Sequence, residues 1–572
     1  MNHSLQSLCS SYISVVSLTA CGLIFASVSQ VQAGSSIRFR DATEASGIKF
    51  VHNDGSTGKR YIMETVASGL GLIDYNGDGW PDIYFLNGAP LPDATKTNRS
   101  PGNALYRNNR DGTFTDVTAE SGTGVYGDCF GCVVADYDND GFEDIFITGY
   151  GRNWLLHNNG DGTFTDVTEK AGLGKSSYPG CVGAGCAFLD YDRDGNLDLY
   201  VGHYLKFDEA SAKPWTLKNV PAYCNPRSFA PVASQLFHNN GDGTFTDVSE
   251  SSGIGKHKGY AMGVVCSDFD GDGWPDIFVG NDVMENFLFH NKHDGTFEEI
   301  GLPAGVAYDQ FGDPVGAMGA NVGDFDGDGR PDLIVTDYQS KLTVLYRNLG
   351  NMLFQDVTAT TGAGTGSFAK VKWGCGLVDF DNDGVPELFT AAGHLQDLVE
   401  QYDKSTTYKE RGIVLQQKGG RFTDVTADCG AIQDTIQSSR GVVFGDLNND
   451  GKLDAVMANS RNRPTLMINE TVTENHWITL KLAGTMSNRS AVGAVARVTA
   501  EGRNWVDEVR AGRGYQGAED LRLHFGLASA QVVDRVEVDW PGGTTNVWVN
   551  LKSDQIISLK EGGTLPAPAS SR

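Results

Sequence analysis

Nine residues recur seven times in this chain, with the residue types and spacing of a cation loop. The first copy reads Asp74-Tyr75-Asn76-Gly77-Asp78-Gly79-Trp80-Pro81-Asp82, and the others begin at Asp136, Asp190, Asp268, Asp324, Asp379 and Asp446. Oxygen-bearing side chains stand at positions 1, 3, 5 and 9, with Gly at position 6. A hard cation such as Ca²⁺ takes about six to eight oxygens, and Gly lets the chain turn sharply around it. The candidate ligands are therefore Asp74, Asn76, Asp78 and Asp82; Asp136, Asp138, Asp140 and Asp144; Asp190, Asp192, Asp194 and Asp198; Asp268, Asp270, Asp272 and Asp276; Asp324, Asp326, Asp328 and Asp332; Asp379, Asp381, Asp383 and Glu387; and Asp446, Asn448, Asp450 and Asp454. The carbonyl of residue 7 and water complete each set.

Position 9 is acidic in every copy, which mere soluble turns would not require. Asn76 and Asn448 replace Asp at position 3 and weaken those two sites; Glu387 is longer and binds differently. The first half of each string is like an EF-hand loop, but no bidentate Glu stands at position 12 and no helix pattern flanks it. The 28 candidates less Asn76 and Asn448 leave 26 acids, so much of the net charge of −27 belongs to the strings. Up to seven Ca²⁺ would bring it to −13. Nothing basic suggests nucleic acid. Gly-x-Ser-x-Gly, His-Glu-x-x-His and phosphate-cradling Gly loops are missing.

The elements that hold the strings are short strands. Cys132 to Ala135 before a string and Ile145 to Ile147 after it are β-like. Between strings runs a hairpin pattern, Leu105 to Asn109 and then Phe114 to Thr118, repeated at Leu155, Leu236, Leu288, Leu345 and, more loosely, Val414. One repeat thus supplies about four strands. String starts lie 54 to 78 residues apart, a spacing that fits propeller blades. The widest gap holds an insertion, roughly Lys206 to Ser234, expected as a long loop on one face. A Gly stands five residues before every string, from Gly69 to Gly441, where inner strands crowd the axis. Phe39 to Thr43 copies the closing strand that the last repeat lacks, so it should complete the last blade and hide both sheet edges. The expected fold is all-β: a seven-bladed β-propeller with calcium-binding blade loops over residues 35–470.

After Glu470 the strings stop and alternating runs such as Ile478 to Leu482 and Val536 to Trp540 predict a small β-sandwich over 471–562. Residues 563–572 read as a disordered tail. Residues 1–33 lack Asp, Glu, Lys and Arg, and an apolar run, Tyr12 to Val28, precedes Val31-Gln32-Ala33. This predicts a signal peptide cut after Ala33 and a secreted, periplasmic or cell-surface protein. Lipoprotein anchoring at Cys21 is the less favoured reading, and no later stretch is long and apolar enough to span a bilayer.

Cys132, Cys186 and Cys375 hold a position that other repeats fill with small hydrophobes, so they read as packing. Cys129, Cys181, Cys224, Cys266 and Cys429 are open to local disulfides. His157, His238 and His290 interchange with Arg107 and Arg347 along the repeats and read as solvated strand positions. His203 and His394 follow Gly near blade ends and are candidates for lining a face. Trp505, Trp540 and Trp548 read as core rather than a sugar platform.

On these residues the strings resemble FG-GAP (integrin-α-like, VCBS-type) repeats. Asn475-His476-Trp477-Ile478, Gly493, Arg497, Gly514-Tyr515, Arg522 to Gly526 and Val536 to Gly543 resemble the ASPIC/UnbV domain of cartilage acidic proteins and UnbV-type bacterial proteins. The resemblance implies a secreted calcium-binding propeller with undefined ligands. Human members carry an EGF-like module, and no six-cysteine segment for it stands here. The chain reads as a monomeric binding or adhesion module for a protein or glycan, with structural calcium and no catalysis. The alternative is an extracellular propeller enzyme, of polysaccharide-lyase or quinone-dependent dehydrogenase type, with its site on the propeller face or channel.

Overall fold

In a computed structural model of the chain, residues 36–90, 102–174, 179–209 and 212–564 are described. The expected signal segment 1–33, with Cys21, and residues 565–572 of the expected tail lie outside them. Each string connects the first and second strands of a four-stranded antiparallel meander, which we call blades 1 to 7 in chain order. In blade 1 the strands are Leu70–Ile73, Asp82–Phe85, Ala104–Asn108 and Phe114–Asp116. Blades 2 to 6 repeat this order from first strands Cys129–Ala135, Cys181–Leu189, Ala261–Ser267, Ala320–Gly323 and Lys372–Val378. In blade 7 the fourth strand is Phe39–Asp41, paired antiparallel with Thr465–Asn469 so that Phe39 faces Asn469. The N-terminal strand thus closes the last blade.

The first strands neighbour one another in a closed cycle, blade 7 returning to blade 1. They are buried along nearly their whole length, whereas fourth strands such as Phe114–Asp116 bury only their first residue. An inner strand is covered on both faces, so it reads as a continuous apolar run. Close approach explains the glycines before the strings: a Cβ on Gly319 would stand 2.2 Å from the Trp373 carbonyl oxygen of the next blade. Apolar clusters fill the seams between blades; Phe278 with Tyr346 and Phe389 with Phe444 mark two of them.

A belt of side-chain amides ties the blades together. Asn108, Asn158, Asn239, Asn291, Asn348, Gln417 and Asn469 each donate from the side chain to the carbonyl of position 2 in the preceding blade's string. The seventh bond closes the circle: Asn108 of blade 1 reaches Leu447 of blade 7 at 2.8 Å.

Beyond blade 7, His476–Ala483 lies between Leu523–Ala528 and Gln555–Lys560, and Arg503–Glu508, Val495–Ala500, Val532–Asp539 and Thr545–Lys552 form a second sheet. The two sheets share an apolar core with Ile478, Val498, Val536 and Trp548, and this core runs on into blades 2 and 3. The segment between the sheets enters the ring. Ala511 bridges Phe188 of blade 3, Gly514 exchanges backbone hydrogen bonds with Ala320 of blade 5, and Gly517–Ala518 pairs in parallel with Leu70–Gly71 of blade 1. Tyr515, fully buried, donates to the Val66 carbonyl at 2.6 Å and packs edge-on against Trp373.

The insertion contains a hairpin, Trp215–Leu217 with Val220–Ala222. It follows a second strand, so it lies on the face away from the strings. Tyr223 exchanges two hydrogen bonds with the Gln396 side chain, at 2.7 and 2.8 Å, and its hydroxyl accepts from Arg461 at 2.6 Å. Among the described residues Cys129, Cys132, Cys181, Cys186, Cys224, Cys266 and Cys375 are free thiols, so neither short-spaced pair, Cys129 with Cys132 or Cys181 with Cys186, is joined, and Cys132, Cys186 and Cys375 are buried packing. No helix among these residues is long and apolar enough to cross a membrane.

Candidate metal centres

Each string is shaped by its own carboxylates. The position 1 carboxylate accepts from the amide of the position 6 Gly, from 2.7 Å at Asp136 and Asp324 to 3.1 Å at Asp190. The position 5 carboxylate accepts from the position 7 amide, as at Asp194 and Asp272. Position 9 begins the second strand and is buried in every blade. In blades 2, 3, 4, 5 and 7 one of its oxygens takes the position 2 amide and the other takes the backbone N–H of the belt residue. The invariant acid is thus explained first by the loop's own hydrogen bonds.

The predicted ligand residues do converge. Carboxylate oxygens of Asp136, Asp138 and Asp144, of Asp190, Asp192 and Asp198, and of Asp268, Asp270 and Asp272 lie within 4.8 Å of one another. Several buried oxygens there lack hydrogen-bond partners: Oδ1 of Asp74, Asp190 and Asp379 at position 1, and Oδ1 of Asp192 and Asp381 at position 3. Unpaired buried carboxylate oxygens converging on one point fit a hard divalent cation. The electrostatics agree. Burial pushes the Asp190 carboxyl up to about 8, with Asp198, Asp194 and Asp192 adding repulsion. Burial raises Asp332 to about 8 and Asp136 to about 7. A bound divalent cation would remove that penalty.

Several residues at the loops carry no signal in the nine-residue pattern. Lys481 of the sandwich reaches Asp74 at 3.0 Å, Arg110 reaches Asp78 at 2.8 Å, and Arg347 sets its Nε 2.5 Å from Asp326. His157, His238 and His290 are not solvated strand positions, as their interchange with Arg suggested. They are only 23–28 % exposed and face the string carboxylates. The reason is register: each precedes the belt amide that holds position 9, so its side chain points across the loop.

The sandwich caps the strings. The Asp136 amide donates to Ser490, Arg193 donates to the Pro541 carbonyl, and Glu508 accepts from the Asp268 amide. Trp505 donates to Gly384 at 3.0 Å, and Arg522 donates to the Asp446 carbonyl. With Lys481 on Asp74, loops of six blades are engaged. Between the blade 5 string and Trp505 and Arg513 lies a cavity of about 450 Å³. Trp540 and Trp548 are core, as expected, but Trp505 serves this interface. His203 and His394 line no open face; both are buried, with His203 Nδ1 2.9 Å from the Ala233 carbonyl. A catalytic channel along the ring axis finds that axis occupied by residues 511–519.

FG-GAP-like repeats match residues 74–147, 136–201, 228–279, 268–335 and 324–390, and the ASPIC and UnbV family matches residues 484–566. Cartilage acidic protein 1 of Homo sapiens is 24% identical over 387 residues, 66% of this chain and 53% of that protein. The Xenopus tropicalis protein of the same name is 23% identical over 485 residues, 83% of this chain and 61% of that one. The chain thus spans little more than half the length of these relatives. A rhamnogalacturonan lyase from Bacillus licheniformis aligns over 77% of this chain and 76% of its own, at 12% identity and a TM-score of 0.35. With its repeats matched over half its length, the chain belongs to the FG-GAP-like repeat family and carries an ASPIC and UnbV domain.

Proposed function

We propose that this protein is an exported, calcium-braced binding module for a protein or glycan, in which the metal holds the ring and its cap together and does no chemistry. The observation that carries this reading is the set of buried, unpaired position 1 oxygens on Asp74, Asp190 and Asp379, which repeat one unmet need in three blades. Calcium at the 28 string residues would satisfy it, up to seven ions per chain. The kinship to cartilage acidic proteins supports a binding role, and the uncharged apolar start supports export, with a mature chain from Gly34. We propose a propeller over 35–470 and a sandwich over 471–562 as its two parts, working as a monomer.

The test is native mass spectrometry of the mature protein in calcium and in chelator, followed by protein and glycan arrays in both. Several bound calcium ions per chain and a ligand bound in calcium alone are expected. A calcium stoichiometry near zero overturns the reading.

A further inference from the structure

The seven strings differ chemically at one register position. The residue before the belt amide is His157, His238 and His290 in blades 2, 3 and 4. In blades 1, 5, 6 and 7 it is Arg107, Arg347, Gln416 and Ile468. The three imidazoles face the same two carboxylates, but only His290 Nδ1 makes a hydrogen bond there, to Asp276 at 3.1 Å. In blade 2, Nδ1 stands 3.3 Å from both the position 3 and the position 9 carboxylate. In blade 3 the distances are 3.3 Å to Asp192 and 3.2 Å to Asp198, and in blade 4 they are 3.8 Å to Asp270 and 3.1 Å to Asp276.

We propose that blades 2 to 4 hold mixed imidazole–carboxylate sites that select a first-row transition divalent cation, of the Mn²⁺ to Zn²⁺ class, with His238 as the nitrogen ligand of the best-formed one. The inference rests on the reading of the strings as calcium sites and adds that three of them prefer a transition cation to calcium where both are present.

Three observations carry it. First, neighbouring ligands of a six-coordinate ion with bonds of about 2.1–2.3 Å stand roughly 3.0–3.3 Å apart, and the imidazole nitrogens of His157 and His238 keep that spacing from both carboxylates. Second, at His157 and His238 this approach makes no well-aligned hydrogen bond. Third, blade 3 supplies an independent demand for a ligand. Asp190 is only 4% exposed, and its Oδ1, in the same carboxylate cluster, has no partner. Calcium is bound almost wholly by oxygen, whereas imidazole favours transition metals, and affinity for nitrogen-containing sites rises from Mn²⁺ toward Cu²⁺ and Zn²⁺.

The molecule contains its own controls. Gln416 occupies the same position in blade 6, so His→Gln is a change the fold already accommodates. Mature protein in excess calcium would be titrated with Zn²⁺ and read by native mass spectrometry. Parallel Mn²⁺ samples would be read by pulsed electron paramagnetic resonance for ¹⁴N coupling. The expected result is retention of up to three zinc ions, with ¹⁴N coupling to bound manganese. His238→Gln should remove one zinc ion or weaken it at least tenfold. The triple variant H157Q/H238Q/H290Q should lose all three and the ¹⁴N signal, with its calcium-dependent melting retained. Equal zinc retention by wild type and triple variant, or no ¹⁴N coupling while calcium stoichiometry is intact, overturns the inference. A calcium stoichiometry near zero instead removes the broader calcium reading.

Discussion

Asn158 shows how much one side chain can do in this ring. Its amide nitrogen donates to Tyr75 of blade 1 and to Glu143, and its side-chain oxygen accepts from Gly160. Asn158→Ala would leave buried carbonyls unpaired, a loss of about 2 kcal/mol. Urea denaturation should show that fall, while Asn109→Ala, one residue past the belt at the partly exposed hairpin turn, should leave stability nearly unchanged. The pattern Leu-x-x-Asn-Asn was visible in the sequence, but not its meaning. The acceptor is a backbone carbonyl in another blade, and backbone groups leave no trace in residue types. Glu561 is held by three backbone amides. Burial alone would raise its carboxyl, but the amides of Thr485, Met486 and Ser487 at 2.8–2.9 Å outweigh that and hold it down at about 2. An unfolded Glu titrates near about 4.3. The stabilisation is therefore full above that value and is lost as pH falls toward 2. Fluorescence of Trp540 and Trp548 should show the sandwich loosening between about pH 5 and 2. Glu561→Gln should weaken it at neutral pH and flatten that acid-side slope; an unchanged profile would contradict the assignment.

Calcium in the strings should brace the ring. Extracellular modules bind calcium at roughly 0.1–1 mM, so about 1 mM calcium contributes about 0.4–1.4 kcal/mol per site. Seven independent sites would sum to roughly 3–10 kcal/mol, and a chelator should lower the melting temperature by many degrees. An unchanged melting curve in chelator would sink the bracing role. The sites should not be equal, although seven near-identical strings suggest that they are. The blade 6 string lies beneath the sandwich, where a Cβ on Gly526 would come within 2.0 Å of the Asp379 carboxylate, whereas Asp272 in blade 4 is exposed. In calcium, Asp379→Ala should lower the melting temperature more than Asp272→Ala; equal shifts would refute the difference. Strings, hairpins and the closing strand were legible because each is a local pattern repeated many times. The cap was not, because Lys481, Trp505 and Arg522 each meet a different loop and share no period.

Ring and sandwich should unfold as one cooperative body, because the segment between the two sandwich sheets pairs with the first strands of blades 1, 3 and 5. Tyr515→Ala would remove a fully buried ring and its hydrogen bond to Val66, a loss of about 3–5 kcal/mol. Calorimetry should show one transition shifted to lower temperature; two separate transitions would mean that the sandwich folds apart from the ring. The blade number follows from counting strings and closing strands. The plug could not be counted, since Gly514 and Tyr515 sit in the chain as an ordinary turn. The closing strand bears on how such a chain comes to be folded. Phe39 must wait for Asn469, and Val66 for Tyr515, so both joins span more than 400 residues. Contacts that distant slow folding. Until the last blade emerges, the strand Phe39–Asp41 has no partner and the axis stays unfilled. Synthesis order alone thus leaves a long window in which neighbouring chains can exchange strands, and the speed of final closure, more than the strength of any one blade, will set how much protein escapes aggregation.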